Sequence, residues 1–176
     1  RLILQKKVHD KFLGMLEDRA KGLKLGDGRK KGTDVGPLIN EDAVRKVQTY
    51  VDIGQSEGAK LLTGGERPEK LSKGNFFEPT IFANVKPGSR LEQEEIFGPV
   101  LSVIRVKDAD EAFAVNNDVK YGLSSSIYTR DVNIAFRALN ELDNGITYVN
   151  APTIGAEAHL PFGGVKQTGN GHREGG

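Results

Sequence analysis

The sequence contains no cysteine, no tryptophan and one methionine among its 176 residues. Without cysteine, the chain can form no disulfide framework and no thiolate metal site, and it carries no cysteine nucleophile. The three histidines, His9, His159 and His172, share no metal-ligand spacing. Composition therefore excludes a disulfide-stapled module and gives no signal for a bound metal.

Long hydrophobic runs and an excess of one charge are also missing. The apolar run at residues 100–104 is broken by Ser102, and nothing approaches the roughly 20 apolar residues of a membrane span. Lys plus Arg total 25 and Asp plus Glu total 24, so no basic field exists to hold nucleic acid or an anionic membrane. The chain opens at Arg1 without a signal-peptide pattern. We expect a cytoplasmic protein that binds neither nucleic acid nor membrane, and the lack of an opening methionine favours a piece of a longer protein.

Hydrophobic periodicity predicts alternating strands and helices along most of the chain. The predicted strands cover residues 2–5, 59–62, 100–106, 123–128 and 145–150. The predicted helices cover residues 8–22, 41–58, 108–116 and 131–142, with Asn40 and Asp108 as N-caps. This alternation is typical of an α/β fold with a largely parallel sheet, and no linker divides residues 1–176, so we expect one domain.

Proline and glycine mark the irregular parts. Pro79 interrupts a β-rich stretch at residues 76–82, which predicts an edge strand or a bent segment because proline cannot donate to a ladder. Residues 151–176 are rich in glycine and lack helical periodicity. Long irregular segments of this kind are usually functional or disordered.

Three segments carry candidate chemistry. In residues 94–100 a carboxylate could accept hydrogen bonds from sugar hydroxyls and Phe97 could lie against a planar ring, although Gly98-Pro99 could simply turn the chain into the next strand. The glycine pair within residues 160–166 lets backbone approach a ligand or another strand, or forms a tight turn. Residues 172–174 form a charged cluster between glycines. No glycine fingerprint follows a strand and no P-loop is present, which disfavours a generic nucleotide-binding domain.

Six motifs in one order resemble the aldehyde dehydrogenase superfamily over the whole chain. They lie at residues 35–39, 58–65, 77–80, 95–100 and 117–123, and at Asn150 with residues 161–166 and 173–174. The resemblance implies the α/β three-layer sandwich of that family's catalytic domain. It also implies that this chain is the C-terminal part of the domain and begins just after the catalytic cysteine.

The resemblance also implies a reaction. In that family a cysteine thiolate attacks an aldehyde, hydride passes to NAD or NADP, and a glutamate-activated water cleaves the thioester. The nucleophile and this general base would lie upstream of Arg1, so the chain alone is expected to be inactive. The full-length protein is expected to be a homo-oligomer, a dimer or a tetramer, acting on a small-molecule aldehyde.

Site residues follow from matching motif positions. Glu95 resembles the glutamate that accepts hydrogen bonds from the nicotinamide ribose, and Phe97 resembles the aromatic beside that ribose and ring. Leu123 matches a residue near the nicotinamide carboxamide. Lys46 matches a lysine near the adenosine ribose.

The substrate pocket is assigned in the same way. Phe162 matches an aromatic that lines the tunnel where substrate and nicotinamide meet, and Glu174 resembles a glutamate that helps relay protons from the general base. Residues 151–160 match the loop that anchors the substrate tail, and its run 155–157 is similar to relatives that act on amino-acid-derived semialdehydes. The pocket residues expected from this loop are Ile154, Gly155 and Ala156.

An alternative from another class is a stand-alone, non-catalytic α/β module that only folds and associates. Either way the chain should have a core, and apolar surface left uncovered would favour self-association. The expected core residues are Leu2, Phe12, Leu16, Val47, Val51, Leu62, Phe82, Val103, Ile104, Phe113, Ile127, Phe136, Leu139 and Val149.

Overall fold

The computed structural model describes residues 1–155 and 159–169. The chain divides into two compact units, Arg1–Val106 and Lys107–Gly176. The expectation of one domain over residues 1–176 stays a prediction. The strands in the described ranges are β1 (Leu2–Gln5), β2 (Lys60–Thr63), β3 (Thr80–Ala83), β4 (Val100–Val106), β5 (Tyr121–Gly122), β6 (Ser124–Ile127), β7 (Ile146–Val149) and β8 (Val165–Lys166). The α-helices there are α1 (Lys6–Lys21), α2 (Glu41–Ser56), α3 (Arg90–Gln93), α4 (Ala109–Asn117) and α5 (Val132–Glu141).

The first unit is built on a four-stranded sheet in the order β1-β4-β3-β2. Strands β1 and β3 both pair parallel with β4, and β2 pairs antiparallel with β3. Helix α1 packs on β1, β2 and β4, while α2 contacts β2 and α3. Val47 of α2, Phe82 of β3 and Val103 of β4 are fully buried, so the core lies between these helices and the sheet.

Strand β3 lies inside the sheet, between β4 and β2. All four of its residues are buried, and the expectation of an edge strand is therefore wrong. Pro79 directly precedes β3, so its missing N–H lies outside the ladder, and the next N–H, that of Thr80, donates to the Pro99 carbonyl at 2.8 Å. An interior strand tolerates a proline at this position because no ladder hydrogen bond is lost.

Short polar side chains start the helices where the sequence predicts. Asn40 Oδ1 accepts from the Ala43 N–H at 2.8 Å, and Asp108 Oδ1 accepts from the Glu111 N–H at 3.0 Å. Each bond satisfies one of the N–H groups that a helix leaves unpaired at its start. The predicted strands and helices exist, and their ends differ from the predicted ones by at most two residues.

The second unit has two small sheets in its described residues. Strands β6 and β7 pair parallel, and β5 pairs antiparallel with β8. Helix α5 packs on β7 and on α4. Three of the five strand pairs in the two units are parallel, so the α/β class with a largely parallel sheet is confirmed.

Six of the expected core residues are buried and three are exposed. The buried ones are Val47, Val51, Phe82, Val103, Ile104 and Phe113. Phe12, Phe136 and Leu139 are 43%, 63% and 50% exposed, so these three expectations are wrong. They lie on apolar helix faces that nothing in the described chain covers. Helical periodicity identifies an apolar face but not its partner, so the sequence could not show that these faces are uncovered. No helix in the described ranges is long and apolar enough to cross a membrane.

We expect Phe82→Ala to destabilise the chain by about 3–5 kcal/mol, since it empties a fully buried site in the sheet. The same truncation at the exposed Phe12 should cost about 0.5 kcal/mol or less. Urea denaturation of the two variants measures both free energies. Equal losses at the two sites would contradict the burial pattern.

Candidate functional site

The loop of residues 94–99 connects α3 to β4 and presents two of the predicted cofactor residues. Glu95 is exposed, Ile96 is buried, and Phe97 is 80% exposed. Phe97 also has a positive φ of 60°. This backbone conformation is uncommon for a bulky residue, and strained conformations of this kind cluster at functional sites. The loop thus anchors itself through Ile96 and displays a carboxylate and an aromatic ring.

Lys46 holds the centre of this loop from α2. Its Nζ donates to the carbonyl oxygen of Glu95 at 2.8 Å, and its ammonium lies 5.9 Å from the centre of the Tyr50 ring. The structure therefore brings Lys46, Glu95 and Phe97 together in the first unit. Lys46 remains exposed, so one side chain can support the loop and still face a ligand.

Tyr50 is a member of this site that the sequence reasoning missed. Its hydroxyl donates to Glu94 Oε2 at 2.6 Å, and Arg90 Nε donates to Glu94 Oε1 at 3.0 Å. The hydrogen bond to the Glu94 carboxylate raises the pKa of Tyr50, and burial adds to the shift. The available signal was its spacing: Tyr50 follows Lys46 by four residues and so lies on the same helix face.

Gly98 allows the loop to lie directly on α2. A Cβ atom at Gly98 would come within 2.3 Å of Val47 Cγ2, and Val47 is fully buried. The space that a side chain at position 98 would need is therefore occupied by the core valine Val47. This contact fixes the loop at a point between Phe97 and the start of β4.

A cavity in the second unit gathers the predicted pocket residues. Its volume is about 300 Å³. Tyr148 closes one side, where its hydroxyl donates to the Gly155 carbonyl at 2.6 Å. The lining residues are Leu123, Ser124, Ile146, Tyr148, Thr153, Ile154, Gly155 and Phe162. None of these eight carries a charge. Thr153 belongs to the predicted substrate loop, whereas the sequence reasoning missed Ser124, Ile146 and Tyr148, which the pairing of β6 with β7 brings next to that loop.

Glycines hold the segment after Phe162 against the rest of the second unit. A Cβ atom at Gly145 would lie 1.7 Å from the Gly163 carbonyl oxygen, so only glycine fits there. Thr168 Oγ1 accepts from the Gly122 N–H at 2.8 Å. The predicted close approach of backbone at the glycine pair is thus an approach to neighbouring strand ends. It fixes Phe162 beside Leu123 at the cavity.

Two predicted site residues, Ala156 and Glu174, lie outside the described residues. Their roles stay predictions, as do those of the other predicted site residues: Glu95, Phe97, Leu123, Lys46, Phe162, Ile154 and Gly155. Within residues 1–155 and 159–169, no three His, Cys, Asp or Glu side chains form a group that could hold a metal ion.

The fold and these motifs define the class of protein. The family model described as "Aldehyde dehydrogenase family" matches residues 1–176. The chain therefore belongs to the aldehyde dehydrogenase family, and the resemblance drawn from the six motifs is confirmed. This family is one of oxidoreductases.

Particular relatives agree with this assignment. The chain is 45% identical over 170 residues to the alpha-ketoglutarate semialdehyde dehydrogenase of Haloferax volcanii, and the aligned residues cover 96% of the chain and 35% of that relative. It is 42% identical over 179 residues to the betaine aldehyde dehydrogenase of Bacillus subtilis, covering 99% of the chain and 36% of the relative. The crystal structure of a betaine aldehyde dehydrogenase from Staphylococcus aureus in complex with NAD⁺ matches with a TM-score of 0.94 and 38% identity, over 98% of the chain and 35% of that structure. The chain thus spans about a third of the length of the relatives it matches.

The raised pKa of Tyr50 predicts a pH effect. A phenol whose folded pKa lies above its unfolded value of about 10 stabilises the fold below that pH, and the contribution is lost as the pH rises through the folded value. Tyrosinate absorbance, taken as the difference between the chain and its Tyr50→Phe variant, measures the shift. Glu94→Gln should lower the Tyr50 pKa, whereas Glu66→Gln, a control at an exposed carboxylate elsewhere in the first unit, should not. If the pKa of Tyr50 is the same in the Glu94→Gln variant as in the unaltered chain, the hydrogen bond between Tyr50 and Glu94 is contradicted.

We expect Gly98→Ala to destabilise the first unit by about 1–3 kcal/mol, because its Cβ atom would collide with the buried Val47. Gly28→Ala is the matched control, since nothing lies within 4 Å of a Cβ atom there, and it should change stability by about 0.5 kcal/mol or less. Thermal and urea unfolding measure both. A Gly98→Ala variant as stable as Gly28→Ala would show that the loop does not pack on α2.

Proposed function

We propose that this chain is part of an enzyme that oxidises a small aldehyde to a carboxylic acid with NAD⁺ or NADP⁺. One observation carries the proposal. In a chain of this family, a loop held by Lys46 of α2 presents an exposed carboxylate, Glu95, and an exposed aromatic ring, Phe97, two residues apart. The activity of the whole protein is inferred from this chain, which spans about a third of the length of its relatives.

The residues present fit a nicotinamide nucleotide. The exposed carboxylate of Glu95 can accept hydrogen bonds from both hydroxyls of a ribose, and the exposed ring of Phe97 offers a flat apolar surface beside it. Lys46 can place its positive charge near the adenosine ribose, and the proposed role of Leu123, beside the carboxamide, rests on the family resemblance. When bound, the cofactor accepts the hydride. NAD is favoured because the similar Staphylococcus aureus enzyme was crystallised with NAD⁺.

The nucleophile must come from chain outside these 176 residues, which contain no cysteine. By the family resemblance, the glutamate that activates water is proposed to lie upstream of Arg1 as well. Glu174 is proposed to relay protons from that glutamate. The remaining expectations, a cytoplasmic homo-oligomer, are part of this proposal as well.

The substrate enters, in this proposal, through the cavity beside Phe162. Its lining of Leu123, Ile146, Ile154 and Phe162 is apolar and suits the carbon chain of an aldehyde. A semialdehyde is favoured by the Haloferax volcanii relative, whose name specifies alpha-ketoglutarate semialdehyde. Because the eight lining residues carry no charge, the carboxylate of such a substrate would need a cation from outside that set.

The decisive experiment is NADH formation by the full-length protein on a panel of carboxylated semialdehydes and neutral aldehydes. We expect activity, highest with the semialdehydes, and none from the 176-residue polypeptide alone. Glu95→Gln should raise the KM for NAD⁺ about ten-fold, since one charged hydrogen-bond acceptor is lost.

Glu69→Gln is the matched control, because Glu69 is also an exposed glutamate of the first unit, and it should leave KM unchanged. Absence of aldehyde-dependent NADH or NADPH formation by the full-length protein would refute the proposed function and favour the non-catalytic module. Preference for long apolar aldehydes would refute the semialdehyde alone.

A further inference from the structure

A buried carboxylate lies just before the loop that presents Glu95 and Phe97. The side chain of Glu92, in α3, is 1% exposed. Burying a carboxylate is costly unless both oxygens are paired. Arg1 Nη1 donates to Oε1 at 2.5 Å. The other oxygen, Oε2, accepts from the Gly88 N–H at 3.2 Å and from the Gln93 amide at 2.5 Å.

This ion pair connects α3 to the sheet. Arg1 immediately precedes β1, which runs parallel to β4 in hydrogen-bonded register. The loop of residues 94–99 ends at β4, where the ladder fixes it. Its other end is α3, a helix of four residues that is too short to hold its own position.

Other contacts hold the first half of α3. Ser102 Oγ donates to the carbonyl of Leu91, and Glu57 accepts from the N–H of Arg90. Glu92 lies in the second half, from which the chain runs directly into the loop. Glu95 follows Glu92 by three positions, which is at most about 11 Å of extended chain.

We propose that the ion pair between Arg1 and Glu92 is a positioning device for the cofactor residues. It fixes the α3 end of the loop and so sets where Glu95 and Phe97 stand, and thereby the affinity for NADH. Glu92 is too deeply buried to touch a ligand, so it acts through the loop and is not a catalytic residue. This inference rests on the proposed function.

The test uses the full-length protein, with NADH binding followed by fluorescence titration, melting temperature in parallel, and kcat measured at saturating NAD⁺. Glu92→Gln should weaken NADH binding about ten-fold and lower the melting temperature, because Arg1 loses its charged partner. Its kcat should stay within about two-fold, since the reacting groups are untouched.

A double variant separates positioning from folding. Arg1→Met with Glu92→Leu removes both charges, so no buried charge is left unpaired and the melting temperature should return towards that of the unaltered protein. NADH binding should stay about ten-fold weak, because an apolar pair has no directional bond to place the loop. Arg1→Lys keeps the charge and should lose only about three-fold in affinity. The control is Glu141→Gln, which breaks an exposed ion pair with Arg137 and should leave NADH affinity unchanged.

Each outcome decides the inference. If the double variant recovers NADH affinity together with its melting temperature, the pair only supports folding and the proposal is wrong. If Glu92→Gln does not fold, the double variant and Arg1→Lys carry the decision. Unaltered protein that binds neither NADH nor NADPH overturns the proposed function and this inference together, and if it binds NADPH alone the same titrations are made with NADPH. Binding by the unaltered protein with equal affinity in all variants overturns this inference alone.

Discussion

The packing of the loop of residues 94–99 on α2 is the contact on which the first unit's site depends. Gly98 rests against Val47, and the Lys46 ammonium, one residue away on the same helix, holds the carbonyl of Glu95. A helix and a loop that lie about 50 residues apart in sequence are thus joined by a core contact and a hydrogen bond. This contact holds the middle of the loop, where Glu95 and Phe97 stand.

The exposure of Phe97 becomes understandable from that contact. A largely exposed aromatic ring on left-handed backbone is unfavourable in a free chain. It persists because its neighbours on both sides, Ile96 and Gly98, are committed to the interior or to α2. The core therefore supplies the free energy that keeps a strained, exposed ring available, which is a property expected of a binding residue rather than of a packing residue.

In the second unit, close contacts between backbone segments have a similar role. Gly145 and Gly163 meet so closely that no side chain could stand at Gly145, and this contact sets Phe162 at the cavity. The uncharged lining that results is a surface for carbon chains. The two units thus present different chemistry: a carboxylate with a ring in one, and an apolar cavity in the other.

The sequence by itself determined the elements and the family. Caps such as Asn40 and Asp108 and the apolar periodicities act over one or two turns, so the helices and strands could be read locally, and motif order sufficed for the family. Only the tertiary structure decided that β3 is an interior strand, that Phe136 is exposed, that Tyr50 joins Glu94 and that Glu92 is buried against Arg1. These facts depend on which distant segment covers a given face, and that choice is made by packing between residues far apart in the chain, which no local pattern records.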